Sequence, residues 1–111
     1  MTNNKYKLLV VEDEENIRTL LSALLEANGY QVLAAGTGAM GKLLITSHRP
    51  DLVLLDLGLP DMDGLELLRT LRAEETLTPV IVLSARTDER EKVTALDLGA
   101  NDYVTKPFGS A

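Results

Sequence analysis

The sequence predicts a single α/β domain in which a doubly wound parallel sheet is covered by helices on both faces. Three observations lead there. The chain has 111 residues, about one domain's worth, which leaves room for one core and one site. It carries short, continuous apolar runs of the kind found in strands buried on both faces. Between these runs lie segments with helical periodicity. The order is therefore β-α-β-α-β-α-β-α-β, and parallel strands joined by right-handed crossovers follow from it.

Leu8 to Val11, Leu52 to Leu55 and Val80 to Leu83 are the strong strand runs, and Tyr30 to Ala35 and Asp102 to Thr105 the weaker ones. In the first helical segment Ile17, Leu20, Leu21, Leu24 and Leu25 recur at i, i+3, i+4, i+7 and i+8 as one apolar stripe. Gly29 follows where a left-handed cap is wanted. The second segment, roughly Gly38 to Ser47, carries Met40, Leu43 and Leu44 and ends before Pro50, its glycines weakening it. The third begins near Asp63 or Gly64 and puts Leu65, Leu68 and Leu71 on one face. The fourth, about Glu89 to Leu98, places Val93 and Leu96 inward and stops at Gly99. The chain ends shortly after Phe108, where the alternation asks for a fifth helix, so residues 1–111 read as one domain cut before its last helix. Such a cut would expose apolar surface beside the fifth strand. Strand order does not follow from the alternation alone.

Composition narrows the function. Lys plus Arg number 11 and Asp plus Glu 17, a net charge of −6. An acidic chain with scattered basic residues repels phosphate backbones, so any contact with DNA falls to a separate domain. Without cysteine there is no disulfide framework, thiolate zinc site or cysteine nucleophile, and the single His48 excludes a poly-histidine metal site. His48 itself reads as a surface residue near the end of the second helix. The longest uncharged stretch, Ala27 to Gly41, is too short and too glycine-rich to span a membrane. The N-terminus has no signal-peptide pattern, so the expected compartment is the cytoplasm.

Ligands of open parallel sheets bind at the carboxyl ends of the strands. There the first strand delivers Glu12 and Asp13, the third Asp56, the fourth Ser84 and the fifth Lys106. Three carboxylates brought together repel one another and invite a hard divalent cation, best Mg²⁺, which favours oxygen ligands plus a substrate phosphate. Lys106 and Ser84 are then donors to phosphoryl oxygens, and Asp56 is the natural nucleophile for an aspartyl phosphate. Each residue alone has a plainer explanation. Asp13, Glu14 and Glu15 could simply favour a helix N-terminus, Asp56 could be a turn residue before Gly58, Ser84 a helix cap and Lys106 a solvated lysine. The constellation is more specific than its members.

Two other sites fail on spacing. With Gly64 at position six of a calcium loop, Leu59 and Thr70 would occupy positions that need acids, so Asp61-Met62-Asp63-Gly64 is a capped turn into the third helix. A nucleotide or flavin cradle would need glycines and bare amides where Glu12-Asp13-Glu14-Glu15 stands.

Val10-Val11-Glu12-Asp13, Leu54-Leu55-Asp56-Leu57-Gly58-Leu59-Pro60-Asp61-Met62-Asp63-Gly64, Val82-Leu83-Ser84-Ala85, Gly99-Ala100-Asn101-Asp102-Tyr103 and Lys106-Pro107-Phe108 together resemble the receiver domain of two-component response regulators. The likeness covers the whole chain. Asp56-Leu57-Gly58-Leu59-Pro60 with Ser84-Ala85-Arg86 is most similar to the KdpE type within the OmpR/PhoB group. The resemblance implies a flavodoxin-like, CheY-like sheet of order 2-1-3-4-5 and a switch worked by phosphorylation. Asp56 would accept the phosphoryl group from a sensor histidine kinase. Mg²⁺ would be held by Asp13, Asp56 and the Gly58 carbonyl, with Glu12 acting through water, and Ser84 and Lys106 would bind the phosphoryl oxygens. Lys106-Pro107 would be a cis peptide. Ser84 and Tyr103 would be the switch pair, and Lys92, Asp97 and Asp102 would belong to the face through which two phosphorylated receivers pair. An attached DNA-binding output domain would then regulate transcription.

Asn101 departs from the pattern, standing where close relatives often carry an acid. The domain would be no enzyme in the ordinary sense, catalysing only its own phosphorylation and dephosphorylation. A Mg²⁺-dependent phosphatase would want a second acid two residues after its nucleophile, and position 58 is Gly. The remaining alternative, a Mg²⁺-binding pseudo-receiver or stand-alone signalling module without a DNA-binding output, sits poorly with intact acids, Ser84 and Lys106.

Overall fold

The computed structural model describes residues 6–85 and 89–106. Nine elements follow one another as β1 (Lys7–Val11), α1 (Glu15–Ala27), β2 (Gln31–Ala35), α2 (Gly38–His48), β3 (Leu52–Asp56), α3 (Gly64–Ala73), β4 (Val80–Ser84), α4 (Glu89–Asp97) and β5 (Asp102–Thr105). The five strands form one parallel sheet in the order β2-β1-β3-β4-β5. The expected order 2-1-3-4-5 is therefore the observed one. Arg86, Pro107, Phe108 and any segment after them lie outside the described residues, so the cis-peptide and last-helix expectations concern atoms outside this description.

Strand side chains alternate between two cores, as the period of two requires. Leu9, Val11, Val53, Leu55, Val80, Val82 and Tyr103 face α2, α3 and α4, while Val10, Leu54, Ile81, Leu83 and Val104 face α1. Each fully buried leucine or valine contributes about 1.5–3 kcal/mol over an exposed one. Burial on both faces holds for β1, β3 and β4 but not for the weaker strands. Gln31, Ala34, Asp102 and Thr105 are exposed because β2 and β5 are the sheet edges.

The helix faces need more correction. The α1 stripe is split, with Leu21 buried and Ile17 and Leu25 packed on the core, while Leu20 and Leu24 are more than half exposed. A stripe spanning i, i+3 and i+4 is wider than the strip of sheet α1 covers. In α2, Met40 and Leu43 are exposed and the inward face is Gly38, Gly41 and Ile45. The glycines that weaken the helix by propensity are what let it approach, since a Cβ on Gly41 would lie 2.9 Å from Val11 Cγ2. In α3, Leu68 and Leu71 are buried as expected, Leu67 joins them, and Leu65 packs at the margin.

The α4 expectation is overturned. Val93 and Leu96 face outward, and the inward line is Glu91, Ala95 and Leu98 at i, i+4 and i+7, with Ala95 completely buried. The helix meets the sheet with Ala95 at the buried centre of the contact. Its C-terminal end is held from α3: Arg72 donates from Nε and Nη2 to the Gly99 carbonyl at 3.2 and 2.9 Å and from Nη1 to the Thr76 carbonyl at 2.6 Å. Gly99 has φ +113°, a left-handed conformation that suits glycine, and a Cβ there would strike the Arg72 side chain. Asn101 Oδ1 accepts from the Val80 N–H at 2.9 Å and from Arg72 Nη2 at 3.3 Å, so the amide does structural work at this turn.

Candidate functional site

Register brings the strand-end residues level. Val11 pairs with Leu55, Asp56 with Leu83 and Ser84 with Thr105, so Glu12, Asp56, Ser84 and Lys106 all emerge at the carboxyl edge of four adjacent strands. The last rung is fixed by the Lys106 N–H, which donates to the Ser84 carbonyl at 2.7 Å. Asp13, Asp56, Gly58, Ser84 and Lys106 line a cavity of ≈ 220 Å³.

Its charges are arranged tightly. Glu12, Asp13 and Asp56 each offer an oxygen within 4.8 Å of the others, Glu12 and Asp56 being buried and Asp13 exposed. Lys106 Nζ reaches over them, 2.6 Å from Glu12 Oε1 and 3.2 Å from Asp56 Oδ1. Burial pushes the Glu12 carboxyl above its ordinary value. The hydrogen bonds from Lys106 and the Glu14 N–H oppose that rise, and the charge of Asp56 adds to it. Burial alone would lower the affinity of Lys106 for its proton, but its hydrogen bond to Glu12 and the charges of Asp56 and Glu12 outweigh this and raise its pKa. The lysine therefore stays an ammonium. Three converging carboxylates form an all-oxygen donor set suited to a hard cation such as Mg²⁺, with the exposed Asp13 as the side open to water.

The loop after β3 is shaped by close backbone approach. Gly64 N–H donates to the Leu57 carbonyl at 2.9 Å, and a Cβ on Gly64 would fall 2.6 Å from the Asp56 carbonyl oxygen. Gly58 pairs with Asp63 across this loop, and Asp63 caps α3 through the Leu65 N–H at 2.9 Å. Asp61 leaves the site altogether. Its carboxylate accepts from the Gly38 and Ala39 N–H groups at 2.8 and 3.0 Å, tying α2 to the loop, and those bonds lower its pKa.

The expected switch pair meets on an unexpected residue. Ser84 Oγ and the hydroxyl of buried Tyr103 both donate to Glu91 Oε1, at 3.5 and 3.3 Å. Glu91 was not legible as a site residue in the sequence, because it was hidden by the misplaced phase of α4. Gly64 closes the Asp56 motif, but its close approach to the backbone does not follow from the sequence. Lys92, Asp97 and Asp102, expected on the pairing face, are exposed. His48 is exposed at the end of α2, its Nδ1 2.8 Å from Ser47 Oγ and remote in the fold from the acids.

The response regulator receiver domain family matches residues 8–111. This chain belongs to that family. Curated relatives of the receiver include the transcriptional regulatory protein KdpE of Mycobacterium tuberculosis, 56% identical over 92% of this chain and 45% of the relative. The KDP operon transcriptional regulatory protein KdpE of Escherichia coli is 51% identical over 98% of this chain and 46% of the relative. The receiver thus spans about half the length of the curated relatives it matches. Among solved structures, the receiver domain of the Francisella response regulator 1452 superposes with a TM-score of 0.90 at 36% identity, covering 94% of this chain and 86% of the other. The KdpE-type likeness of the motifs agrees with these relatives. Among the described residues, no helix is long and apolar enough to cross a membrane.

Proposed function

We propose that this receiver is the phosphorylation-controlled input of a transcriptional regulator of KdpE type, with Asp56 as the phosphoacceptor. The observation that carries this reading is the buried Asp56 carboxylate set 3.2 Å from the Lys106 ammonium, with Glu12 and Asp13 beside it and Ser84 on the neighbouring strand. An Asp56 oxygen attacks the phosphorus of a phosphohistidine on the sensor kinase, or of a small acyl phosphate. The new O–P bond forms as the bond to the donor breaks, and the electron pair leaves with the donor nitrogen or oxygen. A carboxylate needs no general base for this. Lys106 offsets the charge gathering on the phosphoryl oxygens, and the Ser84 hydroxyl donates to one of them. Asp13, Asp56 and the Gly58 carbonyl, with Glu12 beside them, would hold Mg²⁺, which would supply further charge neutralisation.

The output follows from α4. Val93 and Leu96 stand outward beside Lys92 and Asp97, an apolar centre with a charged rim of the kind that pairs two copies. With a net charge of −6, the receiver leaves DNA to a separate output domain. Incubation with Mg²⁺ and acetyl phosphate, followed by intact mass, tests the reading. One added phosphoryl that requires Mg²⁺ and is absent in Asp56→Asn is expected. No uptake by folded wild type, or uptake unchanged in Asp56→Asn, would overturn it.

A further inference from the structure

We infer that Glu91 is a positioning residue of the switch, a shared acceptor whose carboxylate ties the Ser84 hydroxyl to the Tyr103 hydroxyl and competes with a phosphoryl group on Asp56 for Ser84. The inference rests on the phosphoacceptor reading of Asp56 and deepens it. Three elements converge on one oxygen: Ser84 from the end of β4, Tyr103 from β5, and Glu91 from the first turns of α4. Glu91 lies on the inward line of α4 with buried Ala95, so its carboxylate is directed at the sheet.

The geometry suits an exchangeable tie. At 3.5 Å the Ser84 contact is long for a hydroxyl donor and correspondingly weak, and the Tyr103 contact at 3.3 Å is only slightly tighter. A serine hydroxyl has one proton to donate. If that proton goes to a phosphoryl oxygen on Asp56, it leaves Glu91 Oε1, and the carboxylate then serves Tyr103 without that competitor. Glu91 therefore carries the state of Ser84 to Tyr103 and to the helix whose outer face holds Val93 and Leu96. Removing it does two things. Ser84 becomes easier to recruit, and Tyr103 loses one partner through which it senses the change.

Beryllofluoride with Mg²⁺ serves as the phosphoryl stand-in, titrated into the full chain as wild type, Glu91→Ala, Glu91→Gln and Glu89→Ala. Ring ¹³C resonances of Tyr103, identified by comparison with Tyr103→Phe, report the second hydroxyl. Glu91→Ala is expected to reach half-saturation at about threefold less beryllofluoride, the change that corresponds to a hydrogen bond at the weak end of the usual range. Its Tyr103 resonances should differ from wild type before any beryllofluoride is added and move less on saturation. Glu91→Gln keeps an acceptor oxygen at full length and should fall between the two, which also covers loss of folding in the alanine variant. Glu89→Ala removes the same charge from an exposed position on α4 and should stay within about twofold of wild type.

Half-saturation of both Glu91 variants within about twofold of wild type, or a gain matched by Glu89→Ala, would overturn the role of Glu91 while leaving Asp56 intact. Unmoved Tyr103 resonances in Glu91→Ala would do the same. A wild-type chain that never responds to beryllofluoride defeats the phosphoacceptor reading itself, and this inference with it.

Discussion

Helices α3 and α4 flank the same sheet face, yet they are attached to it by different physics. Four residues of α3 are buried, Gly64, Leu67, Leu68 and Leu71, and its first residue sits against the backbone of Asp56. On α4 only Ala95 is buried, its larger apolar residues face outward, and polar contacts from Glu91 and Arg72 do much of the holding. Close packing tolerates little displacement because it loses contact energy over fractions of an ångström. Hydrogen bonds can be exchanged for others of similar strength. The difference teaches that α3 is locked against the loop that follows Asp56, while α4 is held by polar contacts that can be exchanged.

The largest expected effect tests the packed side. Leu68→Ala should cost about 2–5 kcal/mol of unfolding free energy in urea titration, because Leu68 is fully buried and its neighbours are pinned. A loss below about 1 kcal/mol would mean that the α3 contact is looser than its burial implies.

Next comes the polar tie between the two helices. Arg72→Ala removes donors from the Gly99 and Thr76 carbonyls and should cost about 1–3 kcal/mol, with amide exchange accelerated at the α4–β5 turn more than in α3. Equal acceleration in both helices would erase the contrast.

A smaller effect concerns α2, whose start is held by the Asp61 carboxylate. The folded pKa of Asp61 is lowered, so its contribution is fully present above the ordinary aspartate value and is lost as the pH falls through the lowered one. The protection of the Gly38 and Ala39 amides relative to their intrinsic exchange rates should therefore fall on acidification, and Asp61→Asn should abolish that pH dependence.

The smallest effect lies on the outer face of α4. Leu96→Ala should leave the stability of the unphosphorylated monomer within about 0.5 kcal/mol of wild type, while weakening self-association of the phosphorylated protein in sedimentation experiments. A stability loss comparable to that of Leu68→Ala would show that α4 is as firmly packed as α3.

This contrast also explains what the sequence disclosed. β1, β3 and β4 were readable because they are buried on both faces and so appear as unbroken apolar runs, and the alternation with helices placed β2 and β5 around them. The acids and Ser84 were readable because they lie at or just after the ends of such runs, Lys106 because it follows the fifth strand, and parallel topology carries all of them to one edge. Helix phase was not. Val93 and Leu96 look like core residues by hydropathy, but both point outward, which inverts the usual inside-out pattern, and the contact with the sheet runs through Ala95. That inversion hid Glu91. The glycines of α2 misled for a related reason, since propensity counts their conformational cost and does not see Val11 waiting where a Cβ would be.

Held by Arg72 through the Gly99 carbonyl just past its C-terminal end, α4 would pivot there as a lever. Nine residues at 1.5 Å each give an arm of about 13 Å. A rigid tilt of about 10° about that fulcrum would displace the first turn by roughly 2 Å while hardly moving the last. Glu91 lies near the travelling end, where a hydrogen-bond exchange has the greatest mechanical advantage, and Asp97 near the stationary one. Within a pairing face, the N-terminal half of α4 would thus set whether two copies fit, and the C-terminal half would keep their registration.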